Sequence, residues 1–154
     1  MNLGQLIAPE RVVQRKGVTS KKRALEVLGE LLASADPDLG SRLVFDSLLG
    51  RERLGSTGLG QGVALPHGRL SRSRRALGAV LQLDQGIDFD APDQQPVDLL
   101  FALVVPEHFT DEHLKILAYL AEMFSNQDFC QQLRASDSQN QLYQQLIGWR
   151  PPGE

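Results

Sequence analysis

The chain has 154 residues, 42% of them hydrophobic and 23% charged, enough for one domain with a substantial core and unlike a disordered chain, a coiled coil or a collagen-like fibre. Its 16 Lys+Arg against 19 Asp+Glu leave a net charge of −3, whereas a chain built to grip nucleic acid is usually basic, so no nucleic-acid partner is expected. The longest apolar run, Leu99 to Val105, is far short of the roughly 20 residues of a membrane helix, no secretory leader is visible, and the single Cys130 excludes an internal disulfide; a cytoplasmic protein without membrane insertion is expected.

Residues 1–17 carry only weak patterning. Thr19 or Ser20 can cap a helix in which Leu25, Leu28, Leu31 and Leu32 recur at helical spacing, and which stops near Asp36-Pro37. Lys21, Lys22 and Arg23 lie in its first turn, against the helix dipole. A second helix is predicted from Ser41 to about Glu52, with Val44/Leu48 and Phe45/Leu49 as inward pairs. Then comes Gly55-Ser56-Thr57-Gly58-Leu59-Gly60-Gln61-Gly62, a loop whose glycines permit positive φ and close backbone approach. Val63-Ala64-Leu65 reads as a short strand ending at Pro66-His67-Gly68, and the arginine-rich stretch 69–75 as an exposed loop.

Two longer apolar runs, Ala76 to Leu83 and Val97 to Val105, read as central strands, with a short edge strand expected around Ile87-Phe89. Thr110 can cap a helix with Asp111 and Glu112 in its first turn and Leu114, Leu117, Ala118, Ala121 and Phe124 as its apolar face. Asn126 and Ser138 can cap two further helices, the last with Leu142, Leu146 and Ile147 inward, and Pro151-Pro152-Gly153-Glu154 is a tail expected to fray. Helices at both ends and strands between them imply an α/β fold, a single-domain mixed β-sheet flanked by helices on both faces.

His67 stands at the end of a strand beside a glycine loop with two hydroxyls. Freed N–H groups and hydroxyls suit an oxyanion, phosphate above all, and a neutral imidazole near pH 7 can act as a nucleophile toward a phosphoryl group. Equally, Pro66-His67-Gly68 by itself is compatible with an inert histidine bonded to backbone. The loop is no Walker A motif, because no Lys-Ser or Lys-Thr follows its last glycine, and no dinucleotide fingerprint, because the third spacing is wrong and a strand follows. His108 and His113 raise a metal site with His67 as third ligand, the basis of an alternative metal-dependent hydrolase. The run from His108 to His113 is one residue too long for H-x-x-E-H, and no metal is expected. His113, at the rim of its helix near the end of a strand, could instead donate a hydrogen bond to a transferring phosphoryl group, or be a plain surface residue. Arg51 and Arg53 lead into the loop. Arg69, Arg72, Arg74 and Arg75 could steer an acidic partner, or simply keep a loop soluble.

The run Arg51-Glu52-x-x-Gly55-Ser56-Thr57-Gly58-x-Gly60-x-Gly62-Val63-Ala64-Leu65-Pro66-His67-Gly68 resembles the signature of the IIA proteins of the bacterial phosphoenolpyruvate phosphotransferase system, fructose/mannitol type, and within it the nitrogen-regulatory branch. Gln95-Pro96-Val97-Asp98-Leu99-Leu100-Phe101-Ala102-Leu103, His113-Leu114-Lys115-x-Leu117 and Ser20-Lys21-Lys22 extend the resemblance over about residues 5–147, within a single IIA type-2 domain taken as 1–154. It implies a mixed sheet flanked by helices and a phosphotransferase component with a phosphohistidine intermediate. His67 would accept the phosphoryl group through Nε2, with Nδ1–H held by a backbone carbonyl. His113 and Arg51 match the family's second histidine and arginine, and Ser56, Thr57, Gly58 and Gly60 its phosphate-binding loop. Arg53 matches no defined role, and Gln61 stands where relatives often have asparagine. No cofactor is implied. The implied donor is a histidine phosphocarrier protein (HPr-like). The implied role is regulation, through phosphorylation-dependent binding of target proteins. The alternative is a sugar-specific IIA component that passes phosphate to a IIB partner.

Overall fold

The computed structural model describes residues 1–108 and 110–153; Phe109 and Glu154, the last residue of the expected tail, lie outside the described residues. Two short 3-10 turns, Leu3–Gln5 and Pro9–Arg11, lead into β1 (Val12–Arg15). Two helices follow: α1 (Lys21–Ala33), capped by the Ser20 hydroxyl accepting from the Arg23 amide, and α2 (Ser41–Glu52). Next come three short strands, β2 (Gly58–Gly60), β3 (Val63–Ala64) and β4 (His67–Leu70), and two long ones, β5 (Leu77–Ile87) and β6 (Val97–Pro106). The chain ends in α3 (Thr110–Ser125), α4 (Gln127–Arg134) and α5 (Gln139–Gly148), the last two capped by Asn126 and Ser138.

The described strands form one six-stranded sheet in the order β1-β5-β6-β3-β2, with β4 also paired to β6. β5–β6 and β2–β3 are antiparallel, whereas β1–β5, β3–β6 and β4–β6 are parallel. β3 and β4 therefore share one edge of β6, separated at Leu65-Pro66. There the proline lacks an N–H for the ladder, while its carbonyl still accepts from the Leu103 amide at 2.9 Å.

Period-two alternation sorts the core. From β6, Leu100, Ala102 and Val104 pack with α1 and α2, while Leu99, Phe101, Leu103 and Val105 pack with α3, α4 and α5. Each of these large side chains is essentially fully buried, worth about 1.5–3 kcal/mol apiece. Helices thus cover both faces, as the order of elements implies.

Four local expectations are corrected. β1 lies within the weakly patterned start: with Val12 and Val13 both buried it shows no alternation, and its partner β5 is distant in sequence. No separate strand forms at Ile87-Phe89, because β5 runs on through Ile87 after a register shift and pairs it with Val97. His67 and Arg69 lie in β4, so the histidine opens a strand rather than closing one, and the exposed loop begins later. The inward face of α3 is His113, Ile116, Leu120, Met123 and Phe124, with Leu114 64% exposed.

Candidate functional site

β4 sets the central histidine. Its residues alternate, with His67 and Arg69 outward and Gly68 and Leu70 inward. Gly68 is required by close packing: a Cβ there would collide with Ser47 of α2. The His67 ring turns back so that Nδ1 lies 2.7 Å from the Leu65 carbonyl. A carbonyl only accepts, so Nδ1 carries the proton and Nε2 is left with its lone pair. His67 lines a cavity of about 260 Å³ with Arg51, Ser56, Thr57, Gly58, Leu59, Leu65, Leu117 and Ala121. A larger cavity of about 830 Å³ lies elsewhere, against the N-terminal turns, and holds none of these residues.

α3 brings the second histidine. The His113 ring meets that of His67 edge-on, with centroids 5.4 Å apart. His113 is only 5% exposed and its Nδ1 is buried without a hydrogen-bond partner, an unmet polar atom of the kind found where a ligand belongs. Desolvation is the main cause that pushes both imidazoles below their ordinary pKa. At His67 the Leu65 bond and Glu52 oppose it while Arg51 and Arg69 add to it, and at His113 both His67 and Arg69 add. Both rings are therefore neutral at pH 7.

Arg51, in the last turn of α2, donates to the Gly55 carbonyl at 2.7 Å and lines the cavity, so its guanidinium lies beside His67 while tethering the loop. The loop hydroxyls differ from expectation. Ser56 Oγ donates to the Phe89 carbonyl at 3.0 Å and accepts from the Gly58 amide at 3.0 Å. Thr57 gives its amide and its hydroxyl to the buried Glu52 carboxylate. The hydroxyls of Ser56 and Thr57 and the amides of Thr57 and Gly58 are thus engaged within the protein. Gly60 does not line the cavity; with φ +89° it shapes the turn beyond.

The four arginines do not form one patch. Arg69 acts on both histidines, and Arg72 is exposed in the turn after β4. Arg74 pairs with Asp38 at 2.8 Å, and Arg75 borders the larger cavity near Arg11. Cys130 is buried, donates to the Phe124 carbonyl at 3.3 Å, and has its thiol pKa raised by burial. His67 and His113 meet, but among the described residues no three His, Cys, Asp or Glu are placed to hold a metal ion. The sequence reading left Glu52 and Lys21 without a role at the site, although Glu52 stands in the signature beside Arg51. The signal was that doublet: a carboxylate at a helix end facing a glycine loop.

A family model described as "Phosphoenolpyruvate-dependent sugar phosphotransferase system, EIIA 2" matches residues 5–148. The chain is 43% identical over 147 residues to a nitrogen regulatory protein of Pseudomonas aeruginosa, covering 96% of each. It is 44% identical over 145 residues to a nitrogen regulatory protein of Escherichia coli K12, covering 94% of this chain and 88% of that one. Its fold is similar to the crystal structure of the nitrogen regulatory protein IIA-Ntr from Neisseria meningitidis, with TM-score 0.85, 40% identity, and coverage of 94% of this chain and 97% of that one. The chain belongs to the EIIA type 2 family of the phosphoenolpyruvate-dependent phosphotransferase system, in its nitrogen-regulatory branch.

Proposed function

We propose that this protein, a single IIA domain across 1–154, accepts a phosphoryl group on His67 Nε2 from a phosphohistidine carrier protein and signals in the cytoplasm by binding target proteins differently in the two states. The observation that carries it is the His67 ring, fixed through Nδ1 by the Leu65 carbonyl with its basic nitrogen left free beside Arg51 and His113. In the transfer, the P–N bond to the donor imidazole breaks as one forms to Nε2, and the donor leaves with the electron pair of the broken bond. Charge spread over the phosphoryl oxygens is met by the Arg51 guanidinium and by His113, if its orphaned Nδ1 takes the ring proton. The Ser56 and Thr57 hydroxyls and the Thr57 and Gly58 amides then shape the wall of the cavity. Both ends of the exchange are histidines, so neither metal nor nucleotide is required by the energetics. Regulation rather than sugar uptake is supported by the 43–44% identity to nitrogen regulatory proteins. The phosphate brings about −1.5 to −2 charges to one edge of the sheet, enough to make or break an interface. Among the described residues no helix is long and apolar enough to cross a membrane.

Incubation with phosphoenolpyruvate, the general kinase and a histidine phosphocarrier should add one acid-labile phosphate, detectable by intact mass. His67→Ala should take none, and Arg51→Ala should label at least about 100-fold more slowly. Full labelling of the His67→Ala protein would refute the assignment. Rapid onward transfer to a IIB domain, with no change in protein binding, would favour the sugar-specific role.

A further inference from the structure

Behind the glycine-rich loop lies a set of buried charges that the transfer scheme above does not use. Glu52 ends α2 and is 6% exposed. Its Oε1 accepts from the Thr57 amide at 3.2 Å and lies 3.0 Å from Lys21 Nζ, and its Oε2 accepts from the Thr57 hydroxyl. Lys21, in the first turn of α1, also donates to the Phe89 carbonyl at 3.2 Å and sits 4.5 Å above the Phe89 ring; the exposed Asp90 is 3.8 Å from its ammonium. The same Phe89 carbonyl accepts from Ser56. Two consecutive loop residues, Ser56 and Thr57, are therefore pinned from behind by acceptors that share one ammonium.

The pinning matters because Arg51 has two tasks. One guanidinium nitrogen, Nη1, holds the Gly55 carbonyl, and its remaining N–H groups are the ones that can meet a phosphoryl oxygen, so the place of the guanidinium depends on the place of the loop. We propose that Glu52 is a positioning residue for phosphoryl transfer: its buried carboxylate, neutralised by Lys21, holds Thr57 and with it the loop whose Gly55 carbonyl keeps the Arg51 guanidinium beside His67. The inference rests on the phosphoryl-carrier role of His67. A charge does this better than a neutral amide, because bonds to an ionised acceptor are about twice as strong as neutral ones. The carboxylate also bears on the ring itself. The groups facing His67 are Arg51 and Glu52 from α2, Arg69 from β4 and His113 from α3, and of the charged ones Glu52 alone favours the imidazolium.

The test compares wild type, Glu52→Gln and the double variant Lys21→Met/Glu52→Gln, each folded state checked by thermal melting. Single-turnover labelling is measured with two donors, the phosphorylated carrier protein and phosphoramidate, a small donor that needs no docking. The His67 titration is followed by NMR. Glu52→Gln is expected to label about tenfold more slowly with both donors, with KM for the carrier unchanged, and His67 should titrate at lower pH. The double variant, which leaves no unpaired buried ammonium, should regain the lost thermal stability yet stay slow and keep the lowered titration. If Glu52→Gln fails to fold, the double variant decides by the same two readouts. Wild-type rates and titration in Glu52→Gln overturn the proposal, as does a double variant whose rate recovers with its stability, since the role would then be structural. A wild-type protein that takes no phosphate on His67 from either donor fails the carrier role instead.

Discussion

Burial, more than any neighbouring charge, tunes the two imidazoles. Desolvation lowers the pKa of both His67 and His113, so in the folded protein each stays neutral at pH values where an exposed histidine is partly charged. In the proposed role this keeps His67 available as a nucleophile in mild acid, and the acid limb of the transfer rate is expected below the ordinary histidine pKa of about 6.5. The same shifts link to stability. The unfolded chain binds protons at these positions before the folded one does, so stability falls as pH drops below about 6.5 toward the lowered folded values. His113→Gln removes one of the two groups and is expected to flatten the pH dependence of the denaturation midpoint in that window. An unchanged slope would mean that His113 is not held neutral by burial. His113 is legible as a candidate through its motif, but its depth is not, because the apolar series in the sequence starts at Leu114. The helix turns the imidazole inward and leaves Leu114 in solvent, because its buried stripe runs through Ile116, Leu120, Met123 and Phe124, and helical spacing puts His113 on that stripe.

The β2–β3 connection is built around backbone that L-residues seldom adopt. Gly60 has φ +89°, Gln61 +59° and Gly62 +81°. Charged groups clamp Gln61 from both sides. Its amide donates to Asp93 Oδ2 at 3.0 Å, and its carbonyl accepts from Arg134 Nη2 at 2.7 Å. Arg134, at the end of α4, is in turn held by Asp98 of β6 through Nε bonds of 3.1 Å. Asparagine tolerates the left-handed region better than glutamine, so Gln61→Asn is expected to stabilise the fold by about 0.5 kcal/mol, read as a higher urea midpoint. A lower midpoint would show that the Gln61 side chain itself contributes to the turn. The glycine spacing made a tight turn legible in the sequence. Its clamp was not, because Asp93 and Arg134 reach it from residues 32 and 73 positions away.

Across the whole molecule, the arginines that follow His67 in sequence are divided by the fold. One stands at the site, one pairs with Asp38, and one faces the far cavity. Only Arg69 puts its charge on both histidines, so carrier docking is expected to depend on it. Arg69→Glu should slow transfer from the carrier several-fold at low salt, with the deficit shrinking at high ionic strength, whereas Arg75→Glu should match wild type. Equal rates for the two variants would remove the site-facing charge from the docking surface.

By itself the chain determined its helices, their caps at Ser20, Asn126 and Ser138, its two central strands and the histidine signature. These rest on local periodicity and on short side-chain-to-backbone bonds that act within a few residues. Tertiary packing alone decided that β1 joins the sheet, that Lys21 offsets an unfavourable place in its helix by neutralising Glu52, and that the hydroxyls of Ser56 and Thr57 serve the loop rather than the cavity. Each of those outcomes depends on a partner brought close by the sheet and its covering helices, and no local pattern encodes which distant group will arrive.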